Sequence, residues 1–175
     1  MTTFKDLLPT AITTARLVLA TPTLNDVQAI ARACNNRNVH RFMARLPYPY
    51  SEDDARFFIE NIVPSESEQV LGIYLDGALI GVVGFHLDGG QEPELGYWLA
   101  EEHWGHGYMS EAAQALVDAA RKTGVAALRS RALAENSASR GVLRKLGFIE
   151  VGEGKDLDGN LAGQPVVFMR MELIR

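Results

Sequence analysis

The chain has 175 residues, 47% of them hydrophobic, which suits one domain with a real core and excludes a membrane protein. Its 22 acidic and 17 basic residues give a net charge of −5, against a general nucleic-acid binder but compatible with a phosphate-bearing ligand held by backbone amides. A single cysteine, Cys34, excludes an internal disulfide and fits a reducing, cytoplasmic setting; no membrane partner is expected, since no apolar run reaches about 18 residues and Met1 to Pro9 lacks the apolar stretch of a secretory signal.

Residues 15–20, Ala-Arg-Leu-Val-Leu-Ala, alternate as a first strand ending near Pro22. Val27, Ile30 and Ala31 keep helical spacing over Asp26 to Ala33 behind an Asn25/Asp26 cap, and Cys34 beside them reads as a buried thiol. Leu46-Pro47-Tyr48-Pro49-Tyr50 predicts a loop. Ser51, with Asp54 three residues on, caps a second helix whose apolar face is Phe57, Phe58 and Ile62. Val70 to Leu75 and Leu79 to Phe85 flank Asp76-Gly77, a strong hairpin signal. Glu92 to Leu99 follows the turn Asp88-Gly89-Gly90 and completes an antiparallel meander.

Met109, Ala112, Ala113, Leu116, Val117 and Ala120 form one stripe of a helix over 109–122 that Gly124 ends. Ala126 to Leu133 predicts a strand and Ser137 to Leu146 a helix stopped by Gly147. Phe148 to Val151 and Val166 to Ile174 read as a last strand pair, joined by a glycine-rich loop, Gly152 to Pro165. The order describes one α/β domain over 1–175, a mixed sheet with helices on its faces.

The stretch with most chemical content is Trp104-Gly105-His106-Gly107-Tyr108-Met109-Ser110, at a strand-to-helix turn. Glycines let a backbone approach a ligand, and a helix start offers free amides to a diphosphate, although two glycines also serve turn geometry alone. Neither a Walker A loop nor a dinucleotide fingerprint nor Gly-x-Ser-x-Gly is present. No metal is expected. His103 and His106 have no cysteine partner or HExxH context, and Asp156-Leu157-Asp158-Gly159-Asn160 has its glycine two places too early for a calcium loop.

Glu94-Leu95-Gly96-Tyr97-Trp98-Leu99, the glycine loop, then Asn136-Ser137-Ala138-Ser139-Arg140 and Lys145-Leu146-Gly147-Phe148 together resemble the successive motifs of the GNAT N-acyltransferases. Thr14-Ala15-Arg16-Leu17-Val18-Leu19 and Tyr48-Pro49-Tyr50 are similar to the branch of ribosomal-protein N-terminal acetyltransferases. The resemblance implies a mixed, mostly antiparallel sheet whose central strand pair splays apart, with helices on both faces. It also implies an acetyl-CoA-dependent N-acetyltransferase in which a primary amine, a protein N-terminal α-amine or a small molecule, attacks directly in a ternary complex.

On that resemblance, CoA would be held by Leu99, Trp104, Gly105, His106, Gly107, Tyr108, Met109, Ser110, Asn136 and Arg140. Glu94 would be the base, its alternative being a surface carboxylate paired with a cation. Ser139 would donate a proton to the leaving thiolate or bond the sulfur, its alternative being a helix-start serine that satisfies local backbone. Trp104 stands where many members carry Gln or Arg, Met109 where many carry Gly or Ala, and 141–146 lacks the tyrosine of many relatives. A CoA-binding sensor without catalysis is the competing reading, and the chain is expected to act as a monomer or homodimer.

Overall fold

The computed structural model describes residues 1–157 and 159–174; Asp158 of the acidic 156–160 stretch lies outside them. The chain passes through α1 (Phe4–Leu7), β1 (Ala11–Thr13), β2 (Val18–Ala20), α2 (Val27–Cys34), α3 (Arg37–His40) and α4 (Glu52–Phe57). The meander β3 (Glu68–Leu75), β4 (Ala78–His86) and β5 (Glu94–Leu99) follows. Next come α5 (Tyr108–Lys122), β6 (Ala127–Leu133), α6 (Ser137–Leu146), β7 (Ile149–Lys155) and β8 (Pro165–Glu172). Among the described residues these strands make one sheet in the order β1-β2-β3-β4-β5-β6-β8-β7, antiparallel except for the β5–β6 pair.

Local sequence explains most boundaries. Asp76 and Gly77 take φ of 49° and 83°, the double left-handed turn whose twist matches a two-residue hairpin between β3 and β4. Ser51 accepts from the Asp54 amide while Asp54 bonds back to the Ser51 amide, a complete capping box at α4, which runs on as a π-type turn over Phe58–Ile62. Gly147, at φ 108°, ends α6 in the left-handed conformation.

Three expectations change. The first strand is shorter than 15–20, because Thr14 turns back to Leu17 (N–H to carbonyl, 2.8 Å) and so makes a β1–β2 hairpin. Asp26 is the N-cap of α2 but makes no side-chain capping bond there; the capping box lies one turn earlier, with Thr23 at the head of a 3₁₀ turn over Leu24–Asp26 and Asp26 as its reciprocating partner. The short elements α1, β1 and α3 carry too few residues for a periodic signal. Strand β7 continues through Gly152 and Gly154 to Lys155, so the expected loop shrinks to about 156–164.

Helices cover both faces. Helices α5 and α6 bury Leu116, Val117, Ala120 and Leu143 against Leu71, Val83, Phe85 and Met169. On the opposite face α2 and α4 bury Val27, Ile30 and Ala55 against Val70, Leu79, Val82 and Trp98. No helix among the described residues is long and apolar enough to cross a membrane.

What positions the site is a break in the sheet. Strands β5 and β6 pair only at Glu94–Arg129 and Leu95–Ser130, the last tie being the Ser130 hydroxyl donated to the Leu95 carbonyl at 2.8 Å. Beyond it β5 stays on β4 through Leu99 while β6 stays on β8 through Leu133. A gap therefore opens between Gly96–Leu99 and the second half of β6.

Candidate active site

The glycine loop sits at the N-terminus of α5, beyond the open end of β5. Gly105 and Gly107 both have φ of 79°, which a side chain would strain. Gly107 caps α5 without any side-chain bond, and the amides of Gly105 to Ser110 find no acceptor among the described residues. These amides and the positive end of a 15-residue helix make a cradle suited to a diphosphate. Met109 is buried in the core, so only its backbone is available there. The Trp104 indole donates to the Leu99 carbonyl at 2.7 Å, which leaves its exposed ring face, not its N–H, for a ligand.

A brace from the N-terminal hairpin holds this loop. The Arg16 guanidinium donates to Glu111 (2.8 Å) and to the His106 carbonyl (3.0 Å) and lies 4.5 Å over the Tyr108 ring. Glu111 also accepts from the Arg16 amide (2.9 Å) and the Thr14 hydroxyl (2.6 Å). Burial works to raise the Glu111 carboxyl; donation from Thr14 and Arg16 overcomes it and holds the group below its ordinary value. Thr14 and Arg16 were visible in the sequence only as part of a family likeness, with no signal that they reach α5.

On the α5–α6 side of the gap, Asn136 caps α6 by accepting from the Ser139 amide at 3.2 Å. The Ser139 hydroxyl lies 2.9 Å from the Tyr97 phenol, a residue the sequence reading left without a role. Burial pushes the Tyr97 phenol up to about 12, against a smaller opposing effect of the Ser139 bond. Arg140 is engaged within the chain. Its guanidinium donates to the Ala134 carbonyl (2.7 Å) and to Glu150 (2.7 Å), and Arg144 reaches the same carboxylate at 2.6 Å.

Glu94 lies at the closed end of the gap, lining a cleft of about 400 Å³ with Arg45, His86, Arg129, Arg131 and Arg170. Its carboxylate is 3.2 Å from Arg131 and 3.7 Å from Arg129, and its side chain is 19% exposed. Both expected alternatives thus have a physical basis: the group is paired with cations, and it faces a cleft. Of the other acids that line the cleft, Glu92 is paired with Arg170 at 2.8 Å, while beside it Asp156 pairs with Arg131 at 3.3 Å and Glu68 with His86 at 2.7 Å. The bonds from Arg170 hold the Glu92 carboxyl below its ordinary value.

Alternation along β5 separates the two expected catalytic groups. Leu95, Tyr97 and Leu99 pack toward α5 and α6, while Trp98 packs toward α2 and α4, the side that Glu94 shares by register. Ser139 and Glu94 therefore stand on opposite faces of the sheet at one gap. Arg45, which lines the cleft, lies in a segment held by Asn160, whose amide nitrogen is 2.6 Å from the Leu46 carbonyl and 3.2 Å from that of Met43. Cys34 is fully buried among the residues of α2 and α4, its thiol pushed up to about 12 by burial.

Comparison with known proteins agrees with this geometry. A family model described as "Acetyltransferase (GNAT) domain" matches residues 16–149. YdaF of Bacillus subtilis (strain 168), whose name marks it as a candidate ribosomal N-acetyltransferase, is 29% identical over 132 residues, covering 70% of each chain. The microcin C7 self-immunity acetyltransferase MccE, in complex with acetyl-CoA and AMP, superposes with a TM-score of 0.82 at 21% identity over 95% of this chain and 98% of its own. RimL, the ribosomal L7/L12 α-N-protein acetyltransferase in complex with coenzyme A, gives 0.81 at 20% identity over 94% and 97%. The braced glycine cradle, the splayed strands and the family match together place this chain in the GNAT family, as an acetyl-CoA-dependent N-acetyltransferase.

Proposed function

We propose that the chain carries acetyl from acetyl-CoA to a primary amine by direct attack in a ternary complex, with a peptide α-amine as the preferred acceptor. The observation that carries this is the gap beyond Leu95, with Ser139 on one face and Glu94 on the other. The diphosphate rests on the 105–110 amides, and the Asn136 side-chain N–H groups bond the pantetheine amide while its oxygen caps α6. The pantetheine arm enters between β5 and β6, sulfur toward Ser139 and acetyl group toward Glu94. The amides of Tyr97 and Leu99, which alternate away from β4 and into the gap, stabilise the oxyanion.

Glu94, acting through water, removes the ammonium proton. At pH 7 that costs about 1–1.5 kcal/mol for an α-amine near pKa ~8, but roughly 4–5 kcal/mol for a lysine-type amine near ~10.4. A carboxylate already shared with Arg129 and Arg131 suits the smaller task. Polyamines fit poorly, because the cleft lining sets Arg45, Arg129, Arg131 and Arg170 against Asp88, Glu92 and Glu94 and so offers little attraction for further positive charge. The names of YdaF and RimL point the same way. The buried, unpartnered Cys34 supports direct transfer over an acyl-enzyme, and a cytoplasmic setting.

The test is thiol release from acetyl-CoA against ribosomal-protein N-terminal peptides, polyamines, aminoglycosides and free amino acids. Turnover on peptides supports the reading. Turnover on a polyamine alone refutes the acceptor assignment, and CoA binding without turnover on any amine refutes catalysis in favour of a sensor.

A further inference from the structure

We infer that Tyr97 is a positioning residue for Ser139: by donating its phenolic hydrogen to the Ser139 hydroxyl oxygen it turns that group's own hydrogen toward the leaving sulfur. The inference rests on the reading of Ser139 given above and adds a second residue to it. Three observations carry it. The two oxygens are 2.9 Å apart, from side chains on different elements 42 residues apart in sequence. Tyr97 belongs to the stretch of β5 that has left β6, so the pair bridges the gap on its α5–α6 side. The Ser139 amide is tied to Asn136, which fixes the start of α6 and the direction of the serine Cα–Cβ bond.

The hydroxyl geometry leaves few choices. Serine has one hydrogen and can either give it to Tyr97 or receive from Tyr97 and keep its own for a ligand. The other acceptor near the phenol, the Ser139 carbonyl, is 3.3 Å away and is already an acceptor in the helical ladder. The shorter bond to the hydroxyl oxygen therefore takes the phenolic hydrogen. Burial keeps the phenol protonated across physiological pH, so it remains a donor throughout.

In the reaction, the amine lone pair forms the C–N bond and the tetrahedral intermediate collapses. The C–S pair leaves on sulfur, where the Ser139 hydrogen meets the new negative charge. The amine proton passes to solvent and the thiolate takes one back from solvent, so that amine plus acetyl-CoA balances against amide plus free CoA. Tyr97 changes neither bonding partner nor charge; it holds the rotor.

The experiment is an ultraviolet titration of the CoA thiol in the binary complex, beside steady-state kinetics, for the wild type, Tyr97→Phe, Ser139→Ala and the double variant. Tyr97→Phe and Ser139→Ala are expected to raise the bound thiol's pKa alike, with no further rise in the double variant. Turnover should fall roughly two- to tenfold at unchanged KM for acetyl-CoA. Site-specific replacement of Tyr97 by fluorotyrosine, which keeps the ring and hydroxyl and so the fold, should lower the thiol pKa. A shift in Ser139→Ala with wild-type behaviour in both Tyr97 variants overturns the role of Tyr97 and leaves Ser139 standing. No shift in any variant overturns both.

Discussion

Arg16 and Glu111, 95 residues apart in the chain, are joined at 2.8 Å, and the same guanidinium holds the His106 carbonyl at 3.0 Å. The first hairpin of the fold thus fixes the loop that cradles the cosubstrate. Arg16→Ala is expected to raise KM for acetyl-CoA roughly threefold to tenfold with little change in kcat. The size follows from losing two charge-assisted bonds on a side chain that is 45% exposed and therefore partly screened. Arg16→Lys should recover only part, because an ammonium cannot serve Glu111, the carbonyl and the Tyr108 ring with one planar fork. A KM equal to wild type would show that the loop holds its shape unaided.

The same carboxylate predicts a pH effect. Glu111 is depressed in the folded state, so its contribution is present above the unfolded value and lost as pH falls through the folded one. With an unfolded glutamate near ~4.3, the stabilisation fades below about pH 4. Melting temperature followed from neutral pH downward should fall less steeply for Glu111→Gln than for the wild type. Parallel acid limbs would mean that Glu111 is not depressed.

How far the site could be read from the chain depended on whether its contacts are local. The Asp76-Gly77 turn, the α5 stripe and the Ser137–Leu146 helix rest on neighbours within a few residues, and these stand in the structure where expected. Contacts across the sheet left no such trace. Tyr97 reads as an ordinary strand residue until α6 brings Ser139 beside it. Arg140 carries no sign in the sequence of its pairing until β7 brings Glu150 between it and Arg144. Gly152 and Gly154 looked like a loop because glycine weakens a strand. Here the Phe168 ring on β8 covers them, and a Cβ at Gly154 would lie 2.8 Å from that ring.

Glu94→Gln separates the two readings of that carboxylate. As the base, its loss should lower kcat roughly 10²–10⁴-fold and steepen the pH dependence, since only acceptor already deprotonated in solution would react. KM for acetyl-CoA should hold, because Glu94 stands on the sheet face opposite Ser139. Wild-type turnover would leave Glu94 as the partner of Arg129 and Arg131 and nothing more.

Asn160 offers a way to move acceptor binding alone. It anchors the 156–164 loop to the segment ahead of α4 through the Leu46 and Met43 carbonyls and lies 3.2 Å from the His40 ring nitrogen. Asn160→Ala should raise KM for the peptide several-fold and leave KM for acetyl-CoA unchanged, the cradle being built from other elements. A change in the acetyl-CoA term would show that loop and cradle are coupled.

Arg140 allows the adenosine end to be tested without activity. Two of its three guanidinium nitrogens are engaged, by Ala134 and by Glu150, and the third, Nε, is buried. The Glu150 carboxyl is held low by these bonds from Arg140 and Arg144, so the pairing persists through neutral pH and is lost only in acid. Arg140→Ala should therefore weaken CoA and dephospho-CoA by the same factor, any loss coming from a slackened α6 start beside Asn136. Calorimetric titration of both ligands decides it. A loss confined to CoA would mean that the 3′-phosphate displaces Glu150 on binding and takes Arg140 for itself.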